Sequence, residues 1–323
     1  MQRELNCYSN DLHDALLEKT DTDFWKCFLS KFWDKIATTC NVNGLTDEPS
    51  IDVKYSEHFV NASNGINEAH CSLLQEEYTN FRNTYIGETN LVDYSFDVAL
   101  VDKIISSLKK GKTAGLDGLT AEHLQFCHPV LPLILVKLFN FLMSFGYIPA
   151  CFDQSYTVPI PIGGKAIDRS LTVDDYRGIS ISSVLSKILE YCILDRYKHL
   201  FVTSDNQFGF KKGLSCSQAN YSVRCIVIVP VLLLKLVERW FSLASTCVKW
   251  GGHVTHFFTV IAGVRQGGAL SSCLFAIYVD DIVKRIYKSG LDCNISFLCT
   301  SSFLYADDIL LFSPSVYAFH AMC

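Results

Sequence analysis

Residues 303–312 of the chain read FLYADDILLF, an apolar and β-forming run that contains two adjacent carboxylates. Burying Asp307 and Asp308 in such a run is costly unless each carboxylate meets a cation. A strand–turn–strand hairpin avoids that cost by placing both acids at its tip, beside a metal ion. Mg²⁺ prefers hard oxygen ligands, and pairs of such ions catalyse phosphoryl transfer. The stretch predicts a hairpin that holds magnesium, with an ordinary Asp-Asp turn as the alternative.

A second pair of acids lies upstream, in residues 278–281, which read YVDD. Apolar residues around this pair recur at helical spacing: Leu274, Phe275, Tyr278, Ile282 and Ile286. We therefore predict a helix with Asp280 and Asp281 on its solvated side, where Lys284 and Arg285 follow as partners four residues on. This pair is interpreted as structural.

Residues 263–271 read GVRQGGALS, a glycine-rich turn that opens this helix. Glycine allows a ligand to approach the backbone closely, and the helix N-terminus favours an anion. A plain loop is the alternative. The stretch KKGKT at 109–113 is not a phosphate-binding P-loop, because Ser106 stands where that pattern needs glycine and a helix, not a strand, is predicted before it.

Composition excludes several classes of protein. The chain has 323 residues, of which 49% are hydrophobic, so it can form a sizeable core. Its longest apolar run, 225–234, is half of the roughly 20 residues that a membrane span needs, and its first residues lack the apolar stretch of a signal peptide. The 14 cysteines include no CxxC pair, which favours reduced thiols in an intracellular protein.

Net charge is distributed unevenly along the chain. Residues 1–100 carry a net charge of −10 and residues 101–323 a net charge of +5, within a total of −5. The second region is compatible with a polyanionic partner.

Periodicity predicts helices over 98–108, 132–145 and 183–200, and Gly146 provides a C-cap for the second. The stretch 156–162, YTVPIPI, predicts a strand, and its two prolines favour an edge or an irregular strand.

Five segments, taken in order, resemble the reverse transcriptase of non-LTR (LINE-like) retrotransposons. The first three are similar to its fingers and to the approach to its palm: LKKGKTAGLDGLTAEHL at 108–124, residues 158–183 with YRGIS at 176–180, and QFGFKKGLSCSQA at 207–219. Residues 263–275 resemble its motif B loop and helix, and 305–308 its catalytic YADD box. The resemblance covers about residues 95–315.

The resemblance implies roles for single residues. Asp307 and Asp308 would ligate two Mg²⁺ ions, and Tyr305 would support the primer end. Gln266 and Gly267 would lie along the nascent base pair and the template.

Lys165 and Arg177 would approach the incoming deoxynucleoside triphosphate from the fingers, with a solvated surface charge as the alternative for both. The implied partners are an RNA template and a DNA primer. A membrane is not implied, and the oligomeric state is open.

One part of the family pattern is missing. The family needs a further aspartate on a palm strand before motif B, but Glu238 is the only acidic residue between Asp205 and Asp280. The run CIVIVPV at 225–231 resembles a junction of two distant parts. Loss of the strand predicts an exposed flank on the catalytic hairpin. Ser272 and Cys273 stand where the family usually has proline, and the sequence ends at Cys323, so the thumb is expected to be missing.

The sequence thus predicts an α+β fold of the right-hand polymerase type. We expect a helical linker over 1–94, fingers over 95–213 and a truncated palm over 214–323 that carries motif B and the hairpin. The predicted function is that of a retrotransposon reverse transcriptase segment that is catalytically inactive. The alternatives are a non-catalytic RNA-binding or interaction module derived from the fingers, and an active polymerase in which Glu238 or a partner chain supplies the missing ligand.

Overall fold

The structure is a computed structural model that describes residues 41–64, 68–84, 95–162, 171–201, 230–261, 263–289, 294–295, 298–299, 301–305 and 308–322. The chain divides into two compact units, one formed by residues 1–46 and 167–171 and the other by the rest. In the first unit, Val42 forms β-bridges with Leu45 and Leu171, across a turn in which Asn43 and Gly44 have positive φ angles of 52° and 84°. Residues 1–40 of the predicted helical linker lie outside the described residues.

The second unit begins with helices: α1 (Glu48–Asn64), α2 (Glu68–Thr84), α3 (Val98–Ser107), α4 (Ala121–Gln125), α5 (Leu131–Phe145) and α6 (Ala150–Asp153). Two predictions from periodicity are confirmed here. Helix α3 begins where the Asp97 carboxylate accepts a hydrogen bond of 2.8 Å from Leu100 N, and α5 ends at Gly146, whose φ of 57° is left-handed.

A mixed sheet of five strands follows these helices: β1 (Gln154–Pro161), β2 (Tyr176–Ser182), β3 (Ser245–Trp250), β4 (His253–Val254) and β5 (Phe258–Thr259). Two helices, α7 (Val184–Arg196) and α8 (Val231–Ser242), lie between β2 and β3 in the chain. The strand order is β2-β1-β3-β4, and β5 also pairs with β3. Strand β1 pairs antiparallel with β2 and parallel with β3. This mixed sheet and the helices before and after it are compatible with the predicted α+β class.

The prediction that β1 is an edge or irregular strand is correct for only half of its length. Residues 155–157 of β1 are flanked on both sides, by β2 and by β3. Beyond them β1 pairs with β2 alone, and there lie Pro159 and Pro161, which cannot donate a backbone hydrogen bond. The sequence pattern missed the first half because the parallel partner lies far away along the chain.

One face of the sheet is covered by α1. Ring centroids of Tyr55 lie 5.3 Å from Tyr176 and 5.1 Å from Trp250, so one aromatic side chain of α1 contacts both β2 and β3. A Cβ on Gly178 would lie 2.7 Å from the ring of Phe59, so only glycine fits under this helix. Helix α1 lies in the stretch predicted to be a linker, yet it packs on the sheet.

A hydrophobic core joins α3, α5, α7 and α8. Its fully buried side chains include Phe139 on α5, Ile188 and Leu189 on α7, and Leu236 and Trp240 on α8. Helix α5 is apolar on a second side as well, where Phe141 and Phe145 contact each other and are 53% and 70% exposed. That exposed stripe is typical of a surface that another apolar surface covers.

The C-terminal elements are α9 (Ala269–Ser289), the pair β6 (Asn294–Ile295) and β7 (Leu298–Cys299), the pair β8 (Ser302–Tyr305) and β9 (Asp308–Leu311), and α10 (Val316–Met322). Leu304 of β8 is fully buried against Val279 and Val283 of α9. Among the described residues β8 and β9 pair only with each other, and Leu310 of β9 is 55% exposed. In the described part of the chain no third strand pairs with this hairpin, and its open flank stays a prediction. Within the described part of the chain, none of the helices has the length and apolar character needed to cross a membrane.

Asp52 of α1 gives the fold a dependence on pH. Its side chain is only 3% exposed and its Oδ1 has no hydrogen-bond partner among the described residues. Burial raises the pKa of Asp52 to about 6, against the opposing effect of the nearby His253. The protonated form is thus favoured in the folded state, so this contribution to stability is complete below the ordinary pKa of 3.8 and is lost as the pH rises through 6.

We therefore expect Asp52→Asn to raise the free energy of unfolding by about 3 kcal/mol at pH 7.5, because a shift of about two pKa units corresponds to roughly that energy. The gain disappears at pH 4, where the wild-type carboxyl is largely protonated. Urea denaturation at both pH values measures the difference. The matched control is Asp102→Asn on α3, where the side chain is exposed. An equal gain at pH 4 and pH 7.5 contradicts the assignment.

Candidate functional site

The turn at Gln266 and Gly267 is fixed against the outer edge of β2. Ser180 N donates a hydrogen bond of 2.7 Å to the carbonyl oxygen of Gln266. Gly267 has a φ of 126°, and a Cβ at this position would lie 2.4 Å from the Ser180 carbonyl oxygen. Only glycine permits this approach, so the glycine of the sequence pattern serves contact between two backbones. Both turn residues are exposed.

Arg177 lies on the same strand as this contact. Its side chain is exposed, and it stands opposite Ile160 in the register of β1 and β2. Three residues of extended chain, about 10 Å, separate it from Ser180. The structure thus brings Arg177 and the Gln266–Gly267 turn to one strand. Lys165 lies outside the described residues.

The glycine-punctuated loop at 111–118 is anchored to the end of β2. A Cβ on Gly115 would lie 2.9 Å from the Ser183 Cα, and Ser183 Oγ donates a hydrogen bond of 2.6 Å to Asp117 Oδ2. Ser183 also caps α7, since its Oγ accepts from Leu185 N. The sequence analysis did not identify Asp117 or Ser183. Serine immediately before an apolar helix was the signal available for the latter.

Tyr156 connects this loop to the central strand. Its hydroxyl donates a hydrogen bond of 2.8 Å to the Ala114 carbonyl oxygen, and burial raises the pKa of the phenol. The ammonium of Lys249 on β3 lies 5.2 Å from the centroid of the Tyr156 ring. In the register of β1 and β2, Tyr156 and Ile160 alternate to the same face, so Lys249 and Arg177 belong to one face of the sheet.

Exposed cations are frequent on these elements. Besides Arg177 and Lys249, the loop contributes three exposed lysines: Lys109, Lys110 and Lys112. The Lys110 ammonium lies 5.0 Å above the Phe126 ring. Cationic side chains next to aromatic rings on an open surface can bind phosphate and stacked bases.

The two strands of the predicted hairpin at 303–312 are confirmed. Strands β8 and β9 pair antiparallel, with Tyr305 opposite Asp308. Asp308 is thus the first residue of the second strand, next to the connection. The two connecting residues, Ala306 and Asp307, lie outside the described residues, and the roles assigned to Tyr305, Asp307 and Asp308 stay predictions.

The second acidic pair lies on a helix, as predicted, but its predicted solvent exposure is wrong for Asp280. Residues 280 and 281 belong to α9, and Asp280 is 1% exposed. Its Oδ2 forms the expected pair with Lys284, at 2.9 Å. Helical spacing correctly predicted the ion pair between Asp280 and Lys284. It could not show that the Asp280 side of α9 would be covered by another part of the chain.

Glu238 has a structural partner on another helix. It lies on α8, as the sequence indicated, and Arg82 of α2 donates to its Oε1 at 2.8 Å. The Tyr78 hydroxyl donates to the same oxygen. Burial raises the pKa of this carboxyl. A carboxylate that is held by a guanidinium and a phenol is poorly suited to replace a metal-ligating aspartate.

The ligands of a two-metal centre stay a prediction, because Asp307 lies outside the described residues. Asp307 and Asp308 can offer adjacent carboxylate oxygens, the ligand type that Mg²⁺ prefers. Across the described residues, His, Cys, Asp and Glu side chains form no cluster of three or more that could hold a metal ion. The sequence interval 206–279 contains one acidic residue, Glu238, and its carboxylate is paired with Arg82.

Comparison with known proteins gives three similar proteins of mobile elements. No family model matches the sequence. The chain is 26% identical over 258 residues to the RNA-directed DNA polymerase of the mobile element jockey of Drosophila funebris. This match covers 67% of this chain and 27% of that protein.

It is also 28% identical over 251 residues to a putative 115 kDa protein of the type-1 retrotransposable element R1DM of Drosophila melanogaster, covering 67% of this chain and 23% of the relative. The retrovirus-related Pol polyprotein of the type-2 retrotransposable element R2DM of the same species is 22% identical over 270 residues. This match covers 71% of this chain and 25% of the relative. The chain thus spans about a quarter of the length of these relatives, and the resemblance to non-LTR retrotransposon polymerases is confirmed.

The contact between Gly267 and β2 leads to a stability prediction. Gly267→Ala places a methyl group against the Ser180 carbonyl oxygen in a backbone conformation that disfavours alanine, so we expect a loss of about 3 kcal/mol. Gly263→Ala is the matched control. Gly263 has a similarly positive φ of 83° but no atom within 4 Å of the added Cβ, so about 1 kcal/mol is expected there. Urea denaturation of both variants measures the difference, and equal losses would refute the close contact.

Proposed function

We propose that this chain is a segment of the RNA-directed DNA polymerase of a non-LTR retrotransposon, and that it does not polymerise DNA as it stands. The similarity to three such proteins over two thirds of the chain supports the first part. In this assignment residues 95–213 are the fingers and residues 214–323 are a palm without its first catalytic strand. Residues 1–94 precede the polymerase domain.

The proposed ligands are an RNA template, a DNA primer and deoxynucleoside triphosphates. Arg177, together with Lys165, interacts with the triphosphate. The Gln266–Gly267 turn lies along the nascent base pair and the template, and Tyr305 supports the primer end. The support for this arrangement is that Arg177 lies on β2 and that the turn is hydrogen-bonded to Ser180 of the same strand. An exposed cation and an exposed backbone can there meet a phosphate and a base.

The pairing of Glu238 with Arg82 carries the proposal of inactivity. Two-metal catalysis uses Mg²⁺ to stabilise the attacking and leaving oxygens of the transferred phosphoryl group. Asp307 and Asp308 supply part of the ligand set, and a further carboxylate has to come from a neighbouring strand. Glu238 is the one acid of that sequence interval, and its carboxylate is occupied by Arg82 and Tyr78.

A second candidate function is RNA binding without catalysis. The exposed lysines of the 111–118 loop region, with Lys249 and Arg177 on one face of the sheet, favour it, because these groups need no metal to bind a nucleic acid backbone. In this case the chain retains RNA selectively and incorporates no nucleotide.

Primer extension on an RNA template tests the proposal. We expect no incorporation by the wild-type chain or by Asp307→Ala, in Mg²⁺ or Mn²⁺. We expect incorporation after insertion of a palm strand with its aspartate from a jockey-type relative, because the ligand set is then complete. Extension products resolved on a gel give the measurement. The same insertion carrying Asp307→Ala is the control and returns the rate to background.

Two outcomes would contradict the proposal. Incorporation by the wild-type chain that Asp307→Ala abolishes would mean that the centre is complete without the inserted strand. Failure of the wild-type chain to bind a primer–template duplex at low salt, in a folded preparation, would reject the polymerase assignment together with the RNA-binding alternative.

A further inference from the structure

Helix α9 begins without a side chain that can cap it. The helix starts at Ala269, so its cap position is occupied by Gly268, which has no side chain. The first turn contains no acidic residue. The first backbone amides of a helix need acceptors, which serine, threonine, aspartate or asparagine usually supply from the cap position. Because α9 follows directly on the Gln266–Gly267 turn, whatever caps this helix also fixes the turn.

The missing acceptor comes from α7. Glu190 is 2% exposed, and its Oε2 accepts a hydrogen bond of 2.9 Å from Leu270 N, in the first turn of α9. A Cβ on Gly268 would lie 3.4 Å from the same oxygen. Its Oε1 accepts from Ser186 Oγ at 3.4 Å. A buried carboxylate is thus placed at the positive end of a helix, where its charge is favourable.

Two cations, Arg265 and Lys187, interact with the buried carboxylate of Glu190. Arg265, immediately before the turn, is 8% exposed and donates a hydrogen bond of 3.1 Å to the carbonyl oxygen of Asp153. Burial lowers the pKa of Arg265, and the charges of Glu190 and Asp153 oppose that effect. Burial also lowers the pKa of Lys187, which lies one turn before Glu190 on α7. The charge of Glu190 opposes this effect and that of Arg265 adds to it. The segment before the turn is therefore held by Arg265, and the segment after it by Glu190. The turn itself is held by the hydrogen bond between Ser180 and Gln266.

We infer that Glu190 is a positioning residue for the Gln266–Gly267 turn, acting as the cap of α9 from another helix. Its carboxylate fixes Leu270, and through it the exposed turn that lies along the nucleic acid. The inference rests on the proposed function only for what the turn binds. The contact itself is a property of the fold.

Trypsin cleavage of the bond between Arg265 and Gln266 tests the contact without any ligand. Cleavage of a folded chain reports the population in which the segment opens. Glu190→Ala leaves the Leu270 amide buried without an acceptor, and we expect cleavage there to be about tenfold faster than in the wild-type chain. Glu190→Gln keeps an acceptor oxygen at the same position and is expected to stay within about threefold of the wild-type rate.

Ile193→Ala on the same helix is the matched control, because Ile193 is fully buried and faces the hydrophobic core. It destabilises α7 without removing the cap, so cleavage at Arg265 stays close to the wild-type rate under native conditions. Gly268→Ser in the Glu190→Ala background supplies a cap from the chain itself and should restore resistance. Where Glu190→Ala alone does not fold, Glu190→Gln replaces it: a folded chain with wild-type resistance supports the inference, and a folded chain that is cleaved about tenfold faster overturns it.

Binding of a fluorescein-labelled RNA template annealed to a DNA primer, followed by anisotropy, tests the consequence for function. Displacement of the turn is expected to weaken binding by Glu190→Ala about tenfold, with Glu190→Gln near the wild-type affinity. If the wild-type chain binds no duplex but Glu190→Ala still opens at Arg265, the proposed function fails and the positioning role stands. If Glu190→Ala is cleaved no faster than the wild-type chain, or Ile193→Ala is cleaved equally fast, the positioning role is refuted.

Discussion

Strand β1 lies between β2 and β3, and its parallel pairing with β3 joins segments that are about 90 residues apart in the chain. Parallel strands need a long connection, and here it contains β2, α7 and α8. Thr157 at the centre of β1 contacts Ser180 on one side and Thr246 on the other through hydroxyl groups at 3.1 and 2.9 Å. These buried polar contacts fix the register of all three strands.

The candidate site follows from this arrangement. Once β2 lies at the edge of the sheet, its outer side is open to the turn before α9, and Ser180 N bonds to Gln266 there. The core beneath brings α7 to the start of α9, so Glu190 can reach Leu270. The turn is thus supported from a strand and from a helix. Such support is what a binding surface needs when it must present an exposed backbone in one conformation.

The hairpin of β8 and β9 has less support among the described residues. Leu304 anchors it to α9, but Leu310 is half exposed and the two strands pair only with each other there. A two-stranded hairpin has little stability of its own, and its open edge can pair with another strand. The hairpin and the proposed loss of activity are therefore linked, because one strand would both cover this flank and supply a metal ligand.

Local chemistry allowed the sequence alone to determine several features. Residues 98–107 and 131–145 form helices because apolar residues recur at helical spacing and because Gly146 can adopt a left-handed conformation. An apolar run of β-forming residues around two acids indicated the strands of the hairpin. Tertiary structure decided the burial of Asp280, the two-sided pairing of the first half of β1, and the contacts of Glu190 and Glu238. Each of these depends on which distant segment covers a given face, and periodicity within one element carries no information about that segment.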